Sequence, residues 1–247
     1  AGTSHNTLAF ATALTPSDFL GVHLFYFDSG NMMETTELNP TGTGQNFKFT
    51  GLLLRLSYAK HLTDRLKLGG TFKYFNEQTT SADLSMSSVA FDIGSSFDTG
   101  IYGMTLGMCI SNLGPDARYM GTGLDLPDDQ DIQNKTDYFP IPLTFRVGLM
   151  NHIISSDSSS PVVMDDHRLS ASIDAINPLD YDLNGSFGLE YAWNEMVFAR
   201  FGSHLNHDTA GISFGFGLTY NKISLDFGYA DYAILENTWQ AGLSFEF

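Results

Sequence analysis

Acidic, imidazole and guanidinium groups recur along this 247-residue chain, and their spacing limits the chemistry open to them. Asp129-x-Asp131-x-Gln133 opens like a calcium-binding loop, but its sixth position is Asn134 rather than Gly and its twelfth is Pro140 rather than Glu. Together with Asp116, Asp125, Asp128 and Asp137 it reads as a solvated acidic loop. His204-x-x-His207-Asp208 supplies two imidazoles at a zinc-like spacing, without a placed third ligand. Ser, Asp and His gather between Ser155 and His167, in a Pro-punctuated stretch that reads as loop and carries no nucleophile motif. No catalytic set, cofactor site or metal site emerges, and the chain is expected not to be an enzyme.

A second group of charges has a different spacing. Arg55, Lys73, Asp92, Arg146, Arg168, Asp174, Glu190, Arg200 and Asp226 each alternate with apolar neighbours. A dry core does not hold so many charges, whereas a wet or ion-paired lumen does. Pairing of opposite charges there would stiffen the wall. The functional alternative is a selective polar path, or a set of docking points for a plug.

The elements that place these charges have a period of two. Ile212, Phe214, Phe216, Leu218 and Tyr220 alternate with Ser213, Gly215, Gly217 and Thr219. Ile223, Leu225, Phe227 and Tyr229 alternate with Ser224, Asp226, Gly228 and Ala230, and Trp239 to Phe247 repeats the pattern. Alternation of this kind means strands. The pattern extends upstream through segments near 185–192, 196–204, 168–175, 143–151, 102–112, 87–99, 66–75, 49–60, 19–28 and 6–14. The whole makes about 13 strands of about 9–12 residues, the length that crosses a bilayer when tilted. Short turns alternate with longer loops, as in an up-and-down meander with two unlike rims.

A soluble sandwich or lipocalin-like barrel also alternates. Lipid is favoured by the strand length, by the charges on the non-apolar face, and by Tyr58, Tyr74, Tyr191, Tyr220, Tyr229 and Trp239 near strand ends, where an interfacial girdle sits. The expected fold is all-β: a transmembrane up-and-down antiparallel β-barrel of about 14 strands, about 13 of them in this chain. Residues 1–247 are expected to form one barrel domain, with a first strand lying upstream.

Composition narrows the classes further. Charged residues are 16% of the chain, against about 25% in soluble domains. Cys109 is the single cysteine, which excludes a disulfide scaffold. A net charge of −16 disfavours nucleic acid. Twenty Phe and eleven Tyr exclude disorder. No uninterrupted apolar run is long enough for a membrane helix.

Several stretches, in order, resemble the PorV/PorQ-type proteins of the FadL-like outer-membrane superfamily. They are Leu56-Ser-Tyr-Ala-Lys60 with Leu62-Thr-Asp-Arg-Leu66, Leu68-Gly69 through Lys73-Tyr74, and Ser88 to Gly94. Ile110-Ser-Asn-Leu-Gly-Pro115, Phe139 to Leu149, Gly188-Leu-Glu-Tyr191, Gly211 to Gly217 and Leu225 to Tyr229 complete the set. The resemblance implies a 14-stranded barrel in the bacterial outer membrane, with a signal peptide, an N-terminal hatch and a first strand upstream, and an association with type IX secretion. Its implied partners are lipid and lipopolysaccharide, together with a secretion translocon, a cargo sorting domain or an attachment complex. The wider superfamily implies the alternative, a channel for small hydrophobic molecules. The long loops are the candidate partner-binding surface: Met32 and Met33 in one, and Tyr119, Met120, Leu124, Leu126, Tyr138 and Phe139 in the other.

Overall fold

A computed structural model describes residues 2–80, 83–121, 135–206, 208–209, 211–235 and 237–246. Leu124 and Leu126, the calcium-like Asp129-x-Asp131-x-Gln133 and His207 lie outside the described residues.

Among the described residues, seventeen strands run in chain order. The first eight are β1 (Ser4–Ala13), β2 (Asp18–Asp28), β3 (Met32–Met33), β4 (Asn46–Phe47), β5 (Phe49–His61), β6 (Leu66–Thr79), β7 (Leu84–Asp98) and β8 (Thr105–Leu113). Then come β9 (Met120–Gly121), β10 (Thr144–Ser155), β11 (Val162–Val163), β12 (His167–Pro178), β13 (Asn184–Trp193) and β14 (Val197–Leu205). The last are β15 (Ile212–Tyr220), β16 (Ile223–Asp231) and β17 (Asn237–Phe245). The hydrogen-bonded order follows the chain, β1-β2-β5-β6-β7-β8-β10-β12-β13-β14-β15-β16-β17, while β9 pairs with β7 and β11 with β10. Thirteen long strands therefore stand where the alternation places them. The short β3–β4 ribbon and β9 fall inside the two long loops, where no strand is expected from the sequence.

The chain folds as two compact units. Unit 1 is Ala1–His61, Leu68–Ile93 and Ser111–Leu143, and unit 2 is Leu62–Lys67, Gly94–Ile110 and Thr144–Phe247. In unit 1, β1, β2 and β5 form a continuous antiparallel ladder. In unit 2, β10 and β12 to β17 form another. A β-bulge shifts the register between His152 and Ile154.

The physics of this sheet is the reverse of a soluble core. Among the described residues only Met86, Ala90, Ala117 and Ala192 are buried apolar residues. On β15 the apolar set Ile212, Phe214, Phe216, Leu218 and Tyr220 is 43–75% exposed. The alternate positions Ser213, Gly215, Gly217 and Thr219 are the more enclosed ones. The same inversion holds on β5, where Leu52, Leu54, Leu56 and Tyr58 are exposed and Leu53, Arg55 and Ser57 are half-buried. Uncovered apolar surface of this extent is not stable in water, and a hydrocarbon solvent removes the cost. Of the strand-end aromatics, Tyr58, Tyr74, Tyr191, Tyr220 and Trp239 are exposed, and Tyr229 is half-buried against Trp239 at 4.7 Å between ring centroids.

Neighbouring residues on β16 test which face meets lipid. Phe227 is exposed on the apolar face, whereas a side chain built at Gly228 meets nothing within 4 Å. Phe227→Arg is expected to cost about 2–4 kcal/mol of folding into bilayers, and Gly228→Arg about 1 kcal/mol or less. Urea titrations into lipid vesicles, read by the gel mobility of folded barrel, measure both.

Candidate functional site

The polar face of unit 2 carries a ladder of ion pairs built across adjacent strands. Register places Glu190 of β13 opposite both Ser170 of β12 and Arg200 of β14. Arg168 reaches Glu190 through Nη1 at 2.8 Å and grips Glu195 with Nε and Nη2 at 2.7 and 3.0 Å. Arg200 donates from Nε to Glu190 at 2.6 Å and from Nη1 to Asp226 at 2.5 Å. The second contact spans β15, because Arg200 pairs with Gly215 while Asp226 pairs with Gly217.

A glycine makes that reach fit. A Cβ at Gly217 would stand 2.8 Å from Asp226 Oδ1 and 3.2 Å from Arg200 Nη1, so a larger side chain would occupy the path of the ion pair. The run Gly215-x-Gly217 is thus the groove in which the guanidinium lies. Charge-assisted, partly desolvated pairs of this kind hold neighbouring strands in register more strongly than exposed ones.

Unit 1 holds its charge differently. Lys73 of β6 is buried, with Nζ 2.7 Å from Asp92 Oδ2 on β7 and 2.8 Å from Asn112 Oδ1 at the end of β8. The Asn112 backbone N–H donates to Asp92 Oδ1 at 2.9 Å, and its side-chain amide donates to the Pro142 carbonyl at 3.0 Å. Asn112 sits at φ 65°, a left-handed conformation that Asn tolerates better than most residues. One side chain therefore completes a buried ion pair and anchors the far end of the 113–142 loop.

That loop is pinned rather than free at its base. Ala117 bridges Phe139, Met120 bridges Lys135, and β9 lies along β7. Tyr119 stacks on Phe139 at 5.8 Å and donates its hydroxyl to Glu77 of β6 at 2.5 Å. Burial, and then the Glu77 carboxylate, push the Tyr119 hydroxyl's pKa up, so it remains a donor at neutral pH. Met120 and Tyr138 stay exposed, with Arg118 over the Tyr138 ring at 4.6 Å. In the other loop Met33 is exposed and Met32 is half-buried.

The remaining charges stand apart. Arg55, Arg146 and Asp174 make no ion pair among the described residues. Among the described residues Asp174 accepts a long 3.5 Å bond from Ser186, and it lies against Gly148 where a side chain would clash. Arg146 and Asp174 flank a pocket of about 400 Å3 in unit 2, with Cys109, Met108, Leu149 and Met150 among its walls. Among the described residues no group of three His, Cys, Asp or Glu is placed to hold a metal ion.

Glu77, Asn112, Glu195 and Gly217 have roles that the sequence alone does not point to. Glu195 lies in a tight turn and Gly217 is one of a regular row, so neither stands out by type. Asn112, in Ser-Asn-Leu-Gly-Pro, carries a turn-like signal but nothing that names its partners.

No protein-family model and no curated protein matches the chain. Solved structures that share its fold include two toluene transporters. The toluene transporter TodX of Pseudomonas putida matches with a TM-score of 0.55 and 11% identity, over 96% of this chain and 80% of that one. The toluene transporter TbuX of Ralstonia pickettii matches with a TM-score of 0.57 and 14% identity, over 97% and 81%. Identity this low bears on fold alone. The chain has the all-β, antiparallel, up-and-down fold of a transmembrane β-barrel, and the likeness does not single out the PorV/PorQ type that the sequence resembles.

The Lys73–Asp92 pair gives a stability test. Lys73→Met leaves a carboxylate without its cation and is expected to cost about 3 kcal/mol. Pairing it with Asp92→Leu is expected to restore most of that loss, as read by the same vesicle unfolding titrations.

Proposed function

We propose that this protein is a non-enzymatic β-barrel of the bacterial outer membrane that passes small hydrophobic molecules. The observation that carries the reading is the match of nearly the whole chain to two toluene transporters. Local chemistry supports it. On β2 and β5 the face away from lipid carries Phe19, Phe25, Phe27 and Leu53, apolar groups that a purely aqueous pore has no use for. In unit 2 the 400 Å3 pocket has Met150 and Cys109 in its walls and is large enough for a one-ring hydrocarbon. The ion ladder is the rigid wall that holds such surfaces in place. No bond is made or broken in this role, so no nucleophile or metal is required.

The test is uptake. Cells with an otherwise tight outer membrane, expressing the protein, are expected to take up radiolabelled toluene several-fold faster than cells carrying an empty vector. Their uptake of a charged sugar phosphate should not change. Equal toluene uptake in both strains would sink the channel reading.

A second reading follows from the loops. Met33, Met120 and Tyr138 are exposed apolar groups outside the long strands, and they fit a protein-docking surface of the PorV/PorQ type. Lipopolysaccharide would surround the same rim. On this reading, pull-down from native membranes in mild detergent recovers a large secretion translocon, an attachment complex or proteins sharing a sorting domain. Met120→Glu with Tyr138→Glu should abolish that recovery. A barrel recovered without them removes the reading.

A further inference from the structure

The polar face of unit 1 carries an unpaired donor and an unpaired acceptor on one rung. Register sets His23 of β2 directly opposite Arg55 of β5. His23 Nδ1 and Arg55 Nε are both buried with no hydrogen-bond partner among the described residues. An unmet buried polar atom is expensive, so a rung with two of them is a place where a ligand group is worth binding.

The hydrogen bonds around the rung define what each atom offers. The Thr7 hydroxyl donates to the Leu24 carbonyl at 3.3 Å. When the hydroxyl donates there, its oxygen accepts from His23 Nε2–H, 2.6 Å away. With Nε2 carrying the proton, Nδ1 of the neutral imidazole is an acceptor. Arg55 Nε–H is a donor.

A donor and an acceptor side by side match a hydroxyl group, which accepts one hydrogen bond and donates one. They match a carboxylate poorly, since its lone pairs would face the lone pair of Nδ1. The neighbouring rung on the same face is Phe25 opposite Leu53. Beyond it His5 packs against Phe25 and Phe27 at 5.7 and 4.9 Å, and Phe27 against Phe49 at 6.0 Å. An apolar, aromatic surface thus begins two residues from the polar pair. Arg55 makes no ion pair among the described residues to fix its guanidinium, so turning its stem opens the rung.

We propose that His23 and Arg55 hold the hydroxyl of a small aromatic alcohol whose ring lies over Phe25 and Leu53. The site rests on the channel reading and sharpens it: hydroxylated one-ring compounds are preferred over the bare hydrocarbons.

Binding to the full chain in lipid nanodiscs tests this by saturation-transfer NMR titration with p-cresol, toluene, 4-methylanisole and benzoate, each corrected by empty nanodiscs. The expected result is p-cresol about tenfold tighter than toluene, the factor that one or two net hydrogen bonds supply. 4-Methylanisole, which accepts but does not donate, should fall back towards toluene. This comparison needs no variant. Arg55→Met and His23→Phe should each erase the p-cresol preference while toluene still binds. Equal affinity for p-cresol and 4-methylanisole, a preference that survives both substitutions, or benzoate binding tighter than p-cresol would each overturn the hydroxyl site. In all three cases toluene binding would leave the channel reading in place. Failure of every probe to bind the wild-type protein would overturn both.

Discussion

Lipid contact on the apolar face is the constraint on which the rest of this structure depends. Phe214, Phe216, Leu225 and Phe227 are exposed, with no second layer of the described residues over them. In water such a surface would collapse or aggregate; in hydrocarbon it is already solvated. The hydrophobic effect therefore does not compact this protein inward. It fixes which face of each strand looks outward, and a slip of one residue would turn every one of these side chains to the wrong side. Backbone hydrogen bonding between strands then becomes obligatory, because no water is present in the bilayer to replace it.

With most of the large apolar residues committed outward, much of the other face is stabilised by polar means. The two units do this in different ways. Unit 2 uses a chain of alternating charges, Arg168, Glu190, Arg200 and Asp226, each bridging to the next across the strands. Unit 1 uses one buried pair, Lys73 and Asp92, locked by Asn112. The first arrangement suits a broad wall of small residues, where long side chains can lie flat. The second suits a crowded corner, where Met86 and Ala90 on β7 are themselves buried.

The alternation of residue types made the strands legible, since a period of two survives without knowledge of any partner. Strand identity and the outward face of β15 and β16 were both readable from it. Pairing was not. Arg200 was visible as a charge on the polar face, but its contact with Asp226 depends on register and on the absence of a side chain at Gly217, and neither is written locally. The loops fail for a related reason. Tyr119 has the composition of an exposed docking surface, yet its bond to Glu77 holds it half-buried at the base of the loop, while Phe139, bridged to Ala117, stays exposed. Glu77 is 42 residues away in sequence, beyond the reach of any local pattern.

The distribution of unpaired charge carries a final piece of physics. Acidic residues outnumber basic ones 28 to 12, so a cation in this chain does not lack a partner for want of carboxylates. Lys48, Lys60, Lys73, Arg168 and Arg200 each have one. Arg55 has none among the described residues, and its cross-strand neighbour is another nitrogen base rather than an acid. Register alone could have brought a carboxylate to that rung, as it brings Glu190 to Arg200. A guanidinium left open beside a neutral imidazole and a row of aromatic rings is costly to the empty wall and useful to a ligand. On the proposed reading, that balance separates a surface built to recognise a ligand from one that only keeps its own strands together.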